Sequence, residues 1–379
     1  MQRREFVSKT LVAALGASLT ASRVAGAHAS PSSTTPPVQP ARAEIKLGMR
    51  VPPRLPDEAL TLMRQLNFGW CRLDLNPEDA TEAFMRETTE RYARGGVRVF
   101  AATCRFARVV PDALDPVGLD RKIALEQDFI RLLGRLGIAN FEISFNGLAP
   151  GSQVYSTGTG MVRGIAVRRF DLQEFRKSEP KPTRTFSAEE ITRLFDRYLA
   201  RLLPVAEQAG VRIALHPDDP PIAEIGGVTR IFHHVDHFDR AFKRHPSPNF
   251  GVLFCVGTWA EGGTAMGATI PNAIRDFAAQ GRLVSVHFRN VSSPLPVFEE
   301  TFMDDGLLDM QTVMDALVAA DFRGLVVPDH IPDLAMEKDH AVRTSSGSYE
   351  SPFRPIGVAY SAAIMNAYLQ SSLRKTRRS

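Results

Sequence analysis

A chain of 379 residues, 44% of them hydrophobic and 23% charged, has ordinary globular composition and enough length for a large buried core. The formal charge of +4 sits at the ends: residues 1–43 carry Arg3, Arg4, Lys9, Arg23 and Arg42 against Glu5, and 374–379 (RKTRRS) adds four basic side chains, so the remainder is net acidic. That balance argues against a nucleic-acid-binding patch, and no interior apolar run is long enough to span a bilayer.

In chain order, the first element is an address. MQRREFVSK carries the pair Arg3-Arg4, then Phe6 and Lys9; TLVAALGASLTA (10–21) is weakly apolar, and Ala27-His28-Ala29 offers an A-x-A cleavage site. Residues 1–29 are similar to a twin-arginine (Tat) export signal, which implies the Tat export machinery as a partner and a periplasmic destination. Residues 30–43 (SPSSTTPPVQPARA) have the composition of a disordered Pro/Ser linker.

From 44 to 373, short apolar runs alternate with helical patterns. The runs are IKLGMR (45–50), CRLDL (71–75), VRVFAAT (97–103), NFEISF (140–145), VRIALH (211–216), NFGVLFC (249–255), RLVSVHF (282–288) and GLVVPD (324–329). Helices are expected after each, among them 119–136, 187–210, 229–243, 270–280, 309–321 and 356–373. Ser187 with Glu190 forms a capping-box pattern, while Gly95-Gly96 and Gly210 mark helix ends. Eight strand–helix units are the count of a (β/α)8 TIM barrel, here a single catalytic domain followed by the basic tail 374–379. An open doubly wound sheet is the alternative, but it would not bring four consecutive strand ends to one point. Residues 147–186 form an unusually long connection, Gly-rich and basic at Arg163, Arg168 and Arg169. Arg163 is a candidate clamp for a substrate carboxylate, against the plainer reading of a solvated loop. The three cysteines rule out a complete disulfide framework; Cys71 and Cys104 are either a bridge or two buried thiols.

The last four runs end in, or close to, His216, Cys255, His287 and Asp329. Each residue alone reads as ordinary. Together, at the ends of successive parallel strands, two imidazoles, a thiol and a carboxylate are a metal-ligand set. Nitrogen, sulfur and oxygen donors at a barrel rim with open positions favour Mn2+ or Fe2+, with Co2+, Ni2+ and Zn2+ as further candidates.

HPDDPP (216–221), Cys255-Val256-Gly257-Thr258, HFRN (287–290), FEET (298–301), Gly306 with Asp309-Met310, and PDH (328–330) occur in this order. As a set they resemble the mannonate dehydratase family of the xylose-isomerase-like barrels. The resemblance implies loss of water from D-mannonate, a sugar acid, to give 2-keto-3-deoxy-D-gluconate. It maps the metal ligands onto the same four residues, an acid/base histidine onto His330 and, more loosely, a tyrosine onto Tyr349. Arg289 is expected to hold substrate or to order the groups around the ligands, and Asn290 to bond a sugar hydroxyl; Asp218 and Asp219 would orient His216, bind hydroxyls or cap a loop. Three positions depart from the family pattern: Met303 stands where a histidine is usual, and Ile331-Pro332 replace a glycine and an arginine. These departures bear on substrate choice. A sugar isomerase or epimerase and a non-catalytic periplasmic sugar-acid binding protein are the alternatives; a homo-oligomer is left open.

Overall fold

In the computed structural model, residues 44–108, 116–145, 156–179, 184–331, 333–337 and 353–377 are described. The export segment, the linker and Tyr349 lie outside them.

Eight parallel strands close on themselves. They are β1 (Lys46–Val51), β2 (Trp70–Leu75), β3 (Arg98–Cys104), β4 (Asn140–Ser144), β7 (Arg212–His216), β10 (Phe250–Cys255), β11 (Leu283–His287) and β14 (Leu325–Val327). Around the barrel the order is β1, β14, β11, β10, β7, β4, β3, β2. This is the TIM barrel expected, with each strand within a residue or two of its apolar run. The near-continuous burial of β2, β10 and β11 is what a parallel strand covered on both faces requires. Closure at β14 is brief: only Lys46↔Leu325 and Leu47↔Val326 pair it with β1. The C-terminal helix Pro355–Thr376, which runs past the expected boundary into the basic tail, braces this side of the barrel. Asn366 donates to Leu66 O at 3.0 Å and accepts from Asn67 at 2.9 Å.

Helix ends follow local chemistry. Ser187 and Glu190 form a reciprocal capping box at the start of the helix Ala188–Ala209, and Gly210 ends it with φ of 66°. Cys71 and Cys104 are free, buried thiols; burial pushes Cys104 up to about 12.

The long connection 147–186 is more structured than a loop. Its described part holds β5 (Gly158–Val162), β6 (Ile165–Asp171) and a helix, Leu172–Ser178. With β12 (Asn290–Val291) and β13 (Val297–Thr301) they make a four-stranded antiparallel sheet ordered β12, β13, β6, β5. β12 begins just beyond His287, so this sheet springs from the C-terminal end of β11. A separate two-stranded ribbon, β8 (Glu224–Ile225) with β9 (Val228–Thr229), follows β7.

Candidate metal centre

His216, Cys255 and His287 are the last residues of β7, β10 and β11, and Asp329 follows β14 by two residues. β7, β10, β11 and β14 are neighbours in the barrel, so four chain-distant side chains meet on its C-terminal rim. One ligand atom from each residue lies within 4.8 Å of all the others.

Local contacts aim the donors. His216 Nδ1 donates to Pro217 O at 2.7 Å, because a carbonyl only accepts; Nε2 is left with its lone pair. Burial also holds His216 below the usual imidazole value, which favours the neutral ring a metal needs. Cys255 caps the helix Val256–Gly262, its Sγ accepting from Thr258 N at 3.5 Å. His287 Nδ1 is shielded from solvent and has no hydrogen-bond partner, with Asp329 Oδ1 3.3 Å away. His287 Nε2 accepts from Arg72 Nη1 at 3.2 Å, because a guanidinium only donates. Asp329 is buried, which opposes its charge, but His287, His330 and Arg50 outweigh burial and hold it well below the usual carboxylate range. Two imidazoles, a thiol and an ionised carboxylate, with His287 Nδ1 buried and otherwise without a hydrogen-bond partner, fit a divalent transition ion.

Beneath and beside the four lies a web of buried ion pairs. Arg72 bonds Glu142 at 2.7 Å and Asp74 at 2.6 Å, and its Nη1 stands 3.2 Å from His287 Nε2. Arg289 reaches Glu261 at 2.6 Å, Asp219 at 2.9 Å and Asp329 at 3.2 Å. Burial raises Glu261 well above the usual carboxylate value, and the neighbouring Asp219 adds to this. Asp219 stays low because Arg289 and His216 outweigh its burial. Gly257 makes room for the arginine: a Cβ there would fall 2.4 Å from Arg289 Nη1.

The remaining expected residues separate into near and far. His330 adjoins the cluster, with Nε2 3.5 Å from Asp329 Oδ2 and Nδ1 facing the carboxylate of Glu300 on β13. Arg289 is buried and committed to carboxylates, so its geometry supports ordering of Asp329 rather than contact with substrate. Asn290 donates to Leu308 O at 2.9 Å and accepts from Leu308 N at 3.1 Å. That amide pins the 302–308 turn, which lends its expected sugar contact no support. Arg163 sits at the β5–β6 turn, 2.8 Å from Asp305 and 3.1 Å from Asp304, and covers Phe302. It ties the hairpin to the 302–305 turn instead of facing the four ligands. Asp218 accepts from Phe232 N at 2.7 Å, a loop-holding contact. Sequence reasoning missed Arg50, Asp74, Glu142, Glu261 and Glu300. Glu300 alone had a signal, its place in FEET.

The family model for D-mannonate dehydratase (UxuA) matches residues 165–375, a span that includes His216, Cys255, His287, Asp329 and His330. The chain belongs to the D-mannonate dehydratase family. It is 30% identical to mannonate dehydratase 2 of Halalkalibacterium halodurans over 184 residues, 48% of this chain and 50% of that protein. It is 35% identical to the mannonate dehydratase of Enterococcus faecalis over 145 residues, 38% of this chain and 39% of that protein. The chain thus spans about half the length of the curated relatives it matches. In fold it is similar to the mannonate dehydratase of Streptococcus suis serotype 2, with a TM-score of 0.75 at 20% identity over 88% of this chain and 96% of that one. An L-ribulose 3-epimerase shares the barrel at a TM-score of 0.55 and 16% identity, over 87% of this chain and 96% of that one.

Proposed function

We propose that this chain is a metal-dependent hydro-lyase that converts D-mannonate, or a closely related aldonate, to the 2-keto-3-deoxy acid and water. The observation that carries the reading is the meeting of His216, Cys255, His287 and Asp329 within 4.8 Å, with His330 beside them. The family membership supports it. The four residues would hold a divalent cation, Mn2+ or Fe2+ best matching a mixed donor set at an open barrel mouth. When bound, the ion supplies Lewis-acid stabilisation of negative charge on the substrate carboxylate and adjacent hydroxyl.

The chain's own groups account for the rest. Loss of water across C2–C3 requires a base for the C2 proton and an acid that protonates the departing C3 hydroxyl. His330 stands where one of these transfers can occur, and Glu300 holds its Nδ1 side, so that Nε2 faces the cluster. Tyr349 is proposed as the second member of the pair. Arg289 bonds the same Asp329 oxygen that His330 faces and keeps that carboxylate oriented. Buried Met303 removes a polar contact that the family's histidine would offer, which supports a substrate related to mannonate as well as mannonate itself. The Arg3-Arg4 segment supports export to the periplasm by the Tat route.

The test is a panel of sugar acids with Mn2+-loaded protein, read by formation of a 2-keto-3-deoxy product. D-Mannonate or a stereoisomer is expected to give it. Isomerised sugars formed without water loss would overturn the dehydratase reading in favour of an isomerase.

A further inference from the structure

The β5–β6 hairpin carries three arginines, and two of them are committed. Arg163 bonds Asp305 at 2.8 Å and Asp304 at 3.1 Å; Arg169 bonds Asp171 at 2.9 Å. Arg168 differs. Its nearest carboxylate oxygen among the described residues is Glu300 Oε1 at 3.9 Å, beyond hydrogen-bond reach, and 48% of its side chain is exposed. That glutamate oxygen is itself turned to His330 Nδ1. Strand pairing sets the side on which Arg168 stands. Successive residues of a strand face opposite ways, and cross-strand partners share a face. Phe298 of β13 and Phe170 of β6 are partners, both buried, their rings stacked 5.5 Å apart. Glu300 and Arg168, each two residues along its strand, share that face; the partners Glu299 and Arg169 lie on the other. Because Glu300 reaches His330, the face it shares with Phe298 is the one turned to the barrel mouth. Arg168 therefore overhangs that histidine, while Arg169 points away from it.

The reaction supplies the second reason. Proton transfer at C2 takes place on the carbon bonded to the substrate carboxylate, so whatever binds that carboxylate must lie within a side chain's reach of His330. Arg72 and Arg289 are buried and locked between carboxylates of the barrel. Arg168 is long, exposed and can turn to a ligand without breaking a hydrogen bond, and its planar guanidinium offers the parallel N–H donors that a carboxylate accepts. We propose that Arg168 binds the carboxylate of the sugar-acid substrate, so that the antiparallel sheet supplies the anion contact which the buried arginines cannot. The substrate class rests on the hydro-lyase reading; the place and exposure of Arg168 do not.

Arg168→Met, Arg168→Lys and, as a control on the opposite face, Arg169→Met are loaded with Mn2+ and compared with the parent. Metal content is measured by atomic emission. Affinity is read by calorimetry with 3-deoxy-D-arabino-hexonate, which is mannonate without its C3 hydroxyl and so has no water to lose. Arg168→Met should keep its metal and bind this acid about tenfold to hundredfold more weakly, and Arg168→Lys should recover part of the loss. Arg169→Met should bind as the parent does. Parent-like binding by Arg168→Met, an equal loss in Arg169→Met, or loss of the metal overturns the assignment, as does a metal-loaded parent that binds no sugar acid. A fall in kcat on D-mannonate at unchanged affinity also overturns it, since Arg168 would then act only through Glu300. The two readings part cleanly. Acid binding that depends on Arg168 without a 2-keto-3-deoxy product sinks the hydro-lyase and leaves the anchor; dehydration with unchanged KM in Arg168→Met does the reverse.

Discussion

Cys255 is the residue on which the proposed metal centre is most exposed to disproof. An alanine there removes the sulfur donor and leaves the strand end otherwise intact, so Cys255→Ala should lose bound metal while folding normally; metal content equal to the parent's would refute the ligand set. His330→Asn should do the opposite, retaining metal while kcat falls by about 10²–10⁴-fold. Gly257 offers a third probe. Its Cβ would collide with Arg289, so Gly257→Ala should cost about 1–3 kcal/mol in thermal unfolding by displacing that side chain. An unchanged melting temperature would show that Arg289 has room to move. His216, Cys255 and His287 were legible because a strand's last residue is readable from its apolar run. Arg50, Glu142 and Glu261 were not, because their meaning depends on partners far along the chain: Arg50 meets Asp329 across 279 positions. No local pattern encodes such a pairing.

At the scale of elements, the eight barrel strands were readable and the antiparallel sheet was not. Each barrel strand is a buried apolar run with a helix after it, a pattern that repeats. β5 is exposed and Gly-rich and β6 is only partly buried, so their pattern reads as loop. Their signal was the two-residue turn Arg163-Gly164, with φ of 51° and 77°, flanked by paired extended segments. Arg163 holds that turn against Asp304 and Asp305, while Tyr360 of the last helix bonds Asp304 at 2.5 Å. Arg163→Ala should therefore raise amide exchange across 158–171 and leave the global melting temperature nearly unchanged, since exposed ion pairs add little to global stability. Unaltered exchange in the hairpin would mean that strand pairing with β13 holds it alone.

For the whole molecule, acid stability in the metal-free protein follows from the depressed carboxylates. Glu142, Asp219 and Asp329 are each held below the ordinary value of about 4 by cations that outweigh burial. A lowered folded value adds stability above the unfolded value, and that stability is lost as pH falls through the folded one. Unfolding followed against pH should therefore steepen below about pH 4, and neutralising Glu142 as Gln should flatten that limb; an unchanged limb would show that these pairs do not govern it. A bound ion adds stability by mass action, about 3 kcal/mol at a hundredfold excess over its dissociation constant. The brief seam at β14 decides where that addition is felt. Two registered pairs join β14 to β1, whereas β2 and β3 share six, and Asp329 hangs directly beyond β14. An ion shared by the ends of β7, β10, β11 and β14 would tie β14 to three strands on its β11 side and leave its two-pair seam with β1 unreinforced, so bound metal stabilises one flank of that strand and the barrel should open first at the other.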